Sequence, residues 1–275
     1  MADTANAQQA EYWNEAAGPT WADLQPALDR QLAPLGRRAM SELALGPGKR
    51  VLDIGCGAGE TSLALAETGA EVLGADISRT LLDVARRRGD DLTGLAFVEA
   101  DAQTYAFTPA SFDAVFSRFG VMFFADPTAA FANIRKALKP GARLAFVCWR
   151  TPAENPIMTL PMQAALPHVA TPPAPPEPGA PGPFAFADPE RVRKILTGAG
   201  FSDVAIAPHD EAIGPGDLET TLGLALRVGP LGALLRENPD QRDAVIAAVR
   251  AALAPHEGPD GVKLGSATWI VTAAA

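Results

Sequence analysis

The run Asp53-Ile54-Gly55-Cys56-Gly57-Ala58-Gly59 sets three glycines at alternate positions between a short apolar run and a helical pattern. Glycines so spaced let the backbone turn sharply and let a ligand lie against it without meeting a Cβ. A nucleotide-like ligand is the expected occupant. A dinucleotide fingerprint read from Gly55 would need a sixth-position glycine where the chain has Glu60. Asp53 and Glu60 flank the turn, and their charge would oppose a pyrophosphate seated on the helix N-terminus. A ligand with a cationic end suits it better. Two more acids close later apolar runs, Asp76 in EVLGAD and Asp101 in LAFVEAD.

Such residues work together only if a scaffold gathers the ends of several strands. Residues 50–150 alternate apolar runs with helical patterns, the signature of βαβ units and a parallel sheet. Strands are expected at 50–54, 71–76, 95–101, 113–117 and 143–149. Between them ETSLALAETG, SRTLLDVARRRG and DPTAAFANIRKALKPG read as helices, with Ser78 and Asp126 as N-caps and glycine at each end. Ahead of this block, residues 3–44 read as two or three helices broken near Gly18-Pro19 and Pro34. Beyond it, residues 151–187 hold 11 of the 25 prolines, and the segment 171–184 favours extended polyproline conformation. A helix opening at Asp188-Pro189, a sixth strand at 200–207, two helices within 217–254 and a seventh strand at 267–273 follow.

The chain has 275 residues, 48% of them hydrophobic, and a net charge of −9. That length and composition bury a real core, and the acidic balance argues against a protein whose main task is neutralising nucleic-acid phosphates. Two cysteines, Cys56 and Cys148, and three histidines are too few for a disulfide framework or a recognisable zinc site, so no metal is expected. The sequence shows neither a secretory signal nor an apolar run long enough to cross a bilayer, and a soluble, cytoplasmic protein is expected.

DIGCGAG resembles motif I of the class I S-adenosylmethionine-dependent methyltransferases, and the resemblance extends over residues 50–150. Within that family the chain looks most like the type-11, ubiquinone/menaquinone-biosynthesis-like branch, with ALKPGARLAFVCW similar to its helix-to-strand passage and Ala142 in place of the usual second glycine. The resemblance implies an α/β, Rossmann-like fold: a seven-stranded, mostly parallel sheet, its last strand antiparallel, with helices on both faces and a helical and proline-rich cap. It implies a single domain over 1–275, with an N-terminal helical lid at 1–45, a cofactor-binding core at 46–150, and cap insertions at 151–187 and 210–260. S-adenosyl-L-methionine is the implied cofactor. Asp53, Gly55, Cys56, Gly57 and Gly59 would form its turn. Asp76, 17 residues after Gly59, and Ile77 would meet the ribose, Asp101 and Ala102 the adenine, and Ser117 the methionine end.

Methyl transfer is an in-line displacement, so the protein must chiefly hold donor and acceptor collinear and exclude water. No catalytic residue is therefore assigned; Arg118 and His168 are the candidates. On the acceptor side the resemblance singles out Trp21, Arg118, Phe119, Met122 and Arg150. The aromatic run after strand four either lines the pocket or packs beneath the next helix. Arg118 and Arg150 either bind an anionic group of the acceptor or form surface ion pairs. Cys56 is expected to fill space, and Arg86-Arg87-Arg88 to form a solvated face. The acceptor is expected to be a small molecule, partly apolar or aromatic, with no nucleic-acid partner and no membrane span; the oligomeric state is open. RNA or protein methylation is the alternative, weakened by the absence of N/D-P-P-Y/F after strand four. A non-catalytic cofactor binder is the other, weakened by the intact turn and acids.

Overall fold

The computed structural model describes residues 6–169 and 179–275, so most of the expected polyproline segment lies outside the described residues. Five strands, β1 (Arg50–Ile54), β2 (Glu71–Asp76), β3 (Leu95–Glu99), β4 (Phe112–Arg118) and β5 (Leu138–Trp149), pair in parallel. Next come β6 (Ser202–Ile213), a two-residue hairpin of β7 (Glu257–Gly258) and β8 (Gly261–Val262), and β9 (Leu264–Ala274). The sheet runs β3-β2-β1-β4-β5-β9-β6, and β9 is antiparallel to both neighbours. This is the seven-stranded arrangement expected. β6 runs six residues past its expected end at 207, because β9 offers a continuous ladder as far as the Ile213–Leu264 pair.

Helices flank the sheet. The N-terminal region holds α1 (Ala7–Glu11), a π-helical turn over Tyr12–Ala16, α2 (Gly18–Asp23) and α3 (Gln25–Met40). Pro34 lies inside α3 and does not break it, contrary to expectation. Leu28, Leu32, Leu35 and Ala39 form one buried stripe along α3, and their packing outweighs the lost backbone bond. Gly18, by contrast, is required: a Cβ there would stand 1.9 Å from the carbonyl oxygen of Trp13.

After β1 comes α4 (Glu60–Ala66), then α5 (Arg79–Arg88) after β2 and α6 (Pro127–Ala137) after β4. Ser78 and Asp126 cap α5 and α6, accepting from Leu81 N–H at 3.2 Å and Ala129 N–H at 2.9 Å. In the proline-rich stretch, α7 (Pro156–Ala165) is a true helix with Pro156 at its first position, where no N–H is needed. α8 (Pro189–Gly198) opens on Asp188 as expected. The region expected to hold two helices holds three, α9 (Leu218–Ala225), α10 (Pro230–Glu237) and α11 (Arg242–Leu253), because both Gly229-Pro230 and Pro239 interrupt the chain.

Phe116, Phe131, Phe146 and Phe186 are fully buried in the core, with Phe131 within about 6 Å of both Phe146 and Phe186. The strand order reverses between β1 and β4. Open α/β sheets have their ligand crevice at such a point, beyond the carboxyl ends of the strands.

Candidate functional site

Gly55 and Gly120 meet at that reversal. A Cβ on Gly55, at φ +68°, would lie 2.6 Å from the Cα of Gly120, and a Cβ on Gly120 would lie 2.7 Å from the Cα of Gly55. Ser117 ties the two strand ends: its Oγ donates to the Ile54 carbonyl at 2.7 Å and accepts from Gly120 N–H at 3.2 Å. The ends of β1 and β4 thus approach as closely as backbone allows. Gly57 N–H donates to Asp76 Oδ2, and Ser78 N–H to Asp76 Oδ1, both at 2.8 Å. Burial raises the Asp76 pKa, and these N–H bonds oppose the rise.

A cavity of about 600 Å³ opens above the turn, a size typical of small-molecule sites. Among the expected cofactor residues Gly55, Cys56, Gly57, Asp76, Ile77, Asp101 and Ala102 line it. A Cβ built on Gly57 would find its nearest protein atom at 3.9 Å, so that side of the turn is open to a ligand. Asp53, Gly59 and Ser117 do not line the cavity; they hold its wall from behind. The space in front of Gly59 is filled by α5, whose Ala85 Cβ would be 2.9 Å from an added Cβ.

Asp53 is fully buried, with Oδ2 accepting from Thr61 and Ser62 hydroxyls at 2.7 Å each and Oδ1 without a partner among the described residues. Burial pushes its pKa up to about 6, against the pull of those hydroxyls and of the Arg118 charge. Burial also drives the Cys56 thiol far above its ordinary value, with the Asp76 and Asp53 charges acting in the same direction. A neutral thiol agrees with its expected space-filling role.

Arg88 departs from the solvated face expected of the arginine run. It donates to the Ala58 carbonyl at 2.7 Å and pairs with Asp29 of α3 at 2.8 Å, clamping the glycine turn to the N-terminal region. Arg118 lines the cavity and forms a mostly buried ion pair with Glu60. Arg150 lies elsewhere than expected of a substrate residue. It is outside the cavity, over the Trp269 ring and paired with Glu154 and Asp210, the latter at 2.7 Å. His168 sits exposed on a short 3-10 turn, also outside the cavity.

The far side of the cavity is apolar. Phe119, at φ +62°, stacks on Trp149 with centroids 4.2 Å apart and planes 6° from parallel. A bulky non-glycine residue in that backbone region is strained, and here the stack and a Phe119 N–H bond to the Val147 carbonyl hold it. Trp13 meets Trp21 and Phe123 edge to face at 5.3 and 5.4 Å, and all three rings line the cavity with Met122. Sequence reasoning missed Trp149, and also Met158 and Met162, which α7 presents to the cavity one turn apart. Their i, i+4 spacing was the available signal. Among the described residues, no group of three or more His, Cys, Asp or Glu side chains could hold a metal ion, and no helix is long and apolar enough to cross a membrane.

Comparison with known proteins bears on the family and the fold. A family model described as a methyltransferase domain, type 11, matches residues 52–146. A demethylmenaquinone methyltransferase of Deinococcus radiodurans is 31% identical over 179 residues, covering 60% of this chain and 73% of its own. The chain belongs to the class I S-adenosylmethionine-dependent methyltransferase family, in the type-11 branch. An uncharacterised protein of Mycobacterium tuberculosis is 38% identical over 120 residues, 43% of each chain, so the match spans less than half the length of that relative. A phosphoethanolamine N-methyltransferase of Haemonchus contortus, solved with S-adenosyl-L-methionine, shares the fold with a TM-score of 0.54. It is 21% identical, and the superposition covers 88% of this chain and 52% of that one.

Proposed function

We propose that the chain transfers the methyl group of S-adenosyl-L-methionine to a small acceptor with an apolar or aromatic part. The observation that carries this reading is a single cavity that joins the glycine turn and two strand-end carboxylates to a wall of aromatic and thioether side chains. The open side of Gly57 and the carboxylates of Asp76 and Asp101 suit an adenosyl group. When bound, the cofactor supplies a methyl carbon made electrophilic by its sulfonium.

The chain's own residues then act by position. Gly55 and Gly57 leave backbone bare for close approach. Asp76 accepts from the ribose hydroxyls and Asp101 from the adenine amino group. Arg118, held by Glu60 at the end of β4, binds a carboxylate or other anionic group at the methionine or acceptor end. Phe119, Trp149, Met158 and Met162 surround the acceptor and keep water from the reacting atoms. Neither histidine nor lysine lines the cavity among the described residues. Carboxylates of Asp29, Glu60, Asp76 and Asp101 also line it, and positioning of donor and acceptor carries the rate. A reducing, cytoplasmic setting suits the free, buried Cys56 and Cys148.

Calorimetry with S-adenosyl-L-homocysteine tests the cofactor half, and transfer of a labelled methyl group into a metabolite extract tests the acceptor half. Binding together with label in an organic-soluble product is expected. Absence of binding at millimolar ligand would overturn the reading. Label recovered on RNA or protein would replace the small-molecule acceptor.

A further inference from the structure

The N-terminal region joins a polar cluster around Asp101, in which Asn6 and Gln103 have no role above. Asn6 stands immediately before α1, its side chain makes no bond to that helix, and it is 4% exposed. Its Nδ2 donates to both carboxylate oxygens of Asp101, at 2.9 and 3.1 Å, and to Gln103 Oε1 at 3.2 Å. Its Oδ1 accepts from Ala125 N–H at 2.8 Å. Gln103 closes the ring: its N–H donates to Asp101 Oδ1 at 2.9 Å, and its Oε1 accepts from Asp126 N–H at 3.1 Å.

Three segments distant in sequence meet here, namely α1, the loop after β3 and the loop before α6. Asp101 Oδ1 takes both Asn6 and the Gln103 N–H, whereas Oδ2 takes Asn6 alone. An ionised carboxylate oxygen accepts about two bonds, so Oδ2 keeps unused capacity, and the residue lines the cavity. One turn along α1, Gln9 lines the same cavity and carries a buried Oε1 without a partner among the described residues. A buried acceptor left alone is costly. The free capacity of Asp101 Oδ2 at the cavity calls for a ligand group that donates N–H.

We propose that Asn6 is a positioning residue for base selection. It fixes the Asp101 carboxylate as the acceptor for the adenine amino group, so that the N-terminal helix, beyond the sheet itself, distinguishes an adenosyl ligand from its inosyl counterpart. The inference rests on the methyl-donor reading above. In an inosyl ligand the amino group is replaced by a carbonyl oxygen, which a fixed carboxylate repels. A carboxylate freed from Asn6 can swing or take up water, and the penalty on the wrong base shrinks. Sites built around buried polar partners reject analogues lacking the matching group far more strongly than apolar pockets do.

The test compares S-adenosyl-L-homocysteine with S-inosyl-L-homocysteine by calorimetry, on the full chain and on Asn6→Ala. The unaltered protein is expected to prefer the adenosyl ligand by about 50-fold or more. In Asn6→Ala that ratio falls about fivefold or more, through weaker adenosyl binding together with a smaller penalty on the inosyl ligand. Gln103→Ala, which leaves α1 intact and removes one partner of the Asn6 amide, shifts the ratio the same way by about twofold and serves if Asn6→Ala does not fold. Equal weakening of both ligands in the variants would make Asn6 a mere anchor of the helix and overturn the proposal, as would an unchanged ratio. If the unaltered protein binds neither ligand, the methyl-donor reading itself fails; if it binds both alike, only the base-selection proposal does.

Discussion

The two sides of the cavity are built in opposite ways. On one side, backbone and short acidic residues at the ends of β1, β2 and β3 make a wall drawn from within residues 54–102. On the other, bulky apolar side chains converge from the N-terminal region, the ends of β4 and β5, α7, α9, α10, α11 and β9, spread over 13–264. The first wall is fixed by close backbone approach and tolerates almost no change in shape. The second is fixed by side-chain packing, which accepts volume-conserving exchange. A ligand common to many relatives suits the first, and a ligand particular to one protein suits the second.

Substitutions can separate the walls. Gly55→Ala should have the largest effect, since its Cβ must displace the Gly120 backbone, and S-adenosyl-L-homocysteine binding is expected to drop below detection by calorimetry. Retained binding would show that β1 and β4 can part at little cost. Asp53→Asn probes the support behind the turn through pH. Its carboxyl has a folded pKa of about 6 against an ordinary 3.8, so the native state binds the extra proton between these values. Stability contributed by Asp53 is therefore fully present below pH 3.8 and lost as pH rises through 6. The unaltered protein should lose on the order of 3 kcal/mol relative to Asp53→Asn over that interval, read from denaturant melts at several pH values. A constant difference across pH would sink the assignment.

Asp76→Asn, which keeps the shape and removes the charge, is expected to weaken S-adenosyl-L-homocysteine about 10-fold to 30-fold. Calorimetry would measure it, and a change under twofold would move the ribose contact elsewhere. Smallest of all on the cofactor side is Met162→Ala. It should raise the acceptor KM several-fold while the cofactor Kd moves less than about twofold; parallel loss of both would erase the distinction between the walls.

Legibility in the sequence follows the same division. The turn, both strand-end acids and the N-caps Ser78 and Asp126 are local patterns, each set by its own few residues, and all could be read along the chain. The apolar wall could not. Trp149 resembles any strand-end aromatic until Phe119 turns through a positive φ to stack on it. Pro34 looked like a break until the buried stripe of α3 was seen to hold it. Arg88 is a clamp where a solvated face is expected, and Arg150 takes the ion-pair alternative, because such choices depend on α3, β6 and Trp269, all distant in sequence. Asn6 offered no sequence signal, since its partners lie about a hundred residues away.

The place of β9 has a consequence for how the molecule is made. It lies between β5 and β6, yet it is synthesised after both, and 50 residues separate the end of β6 from its start. At a translation rate of roughly 5–20 residues per second, β6 has no strand to pair with for about 3–10 seconds after it is completed. Throughout that interval β5 presents a bare inner edge, and shielding it in the nascent chain falls to whatever helices have already formed. The residues that build the cofactor wall all precede β4, so that stretch is synthesised well before the strand that joins the two halves of the sheet.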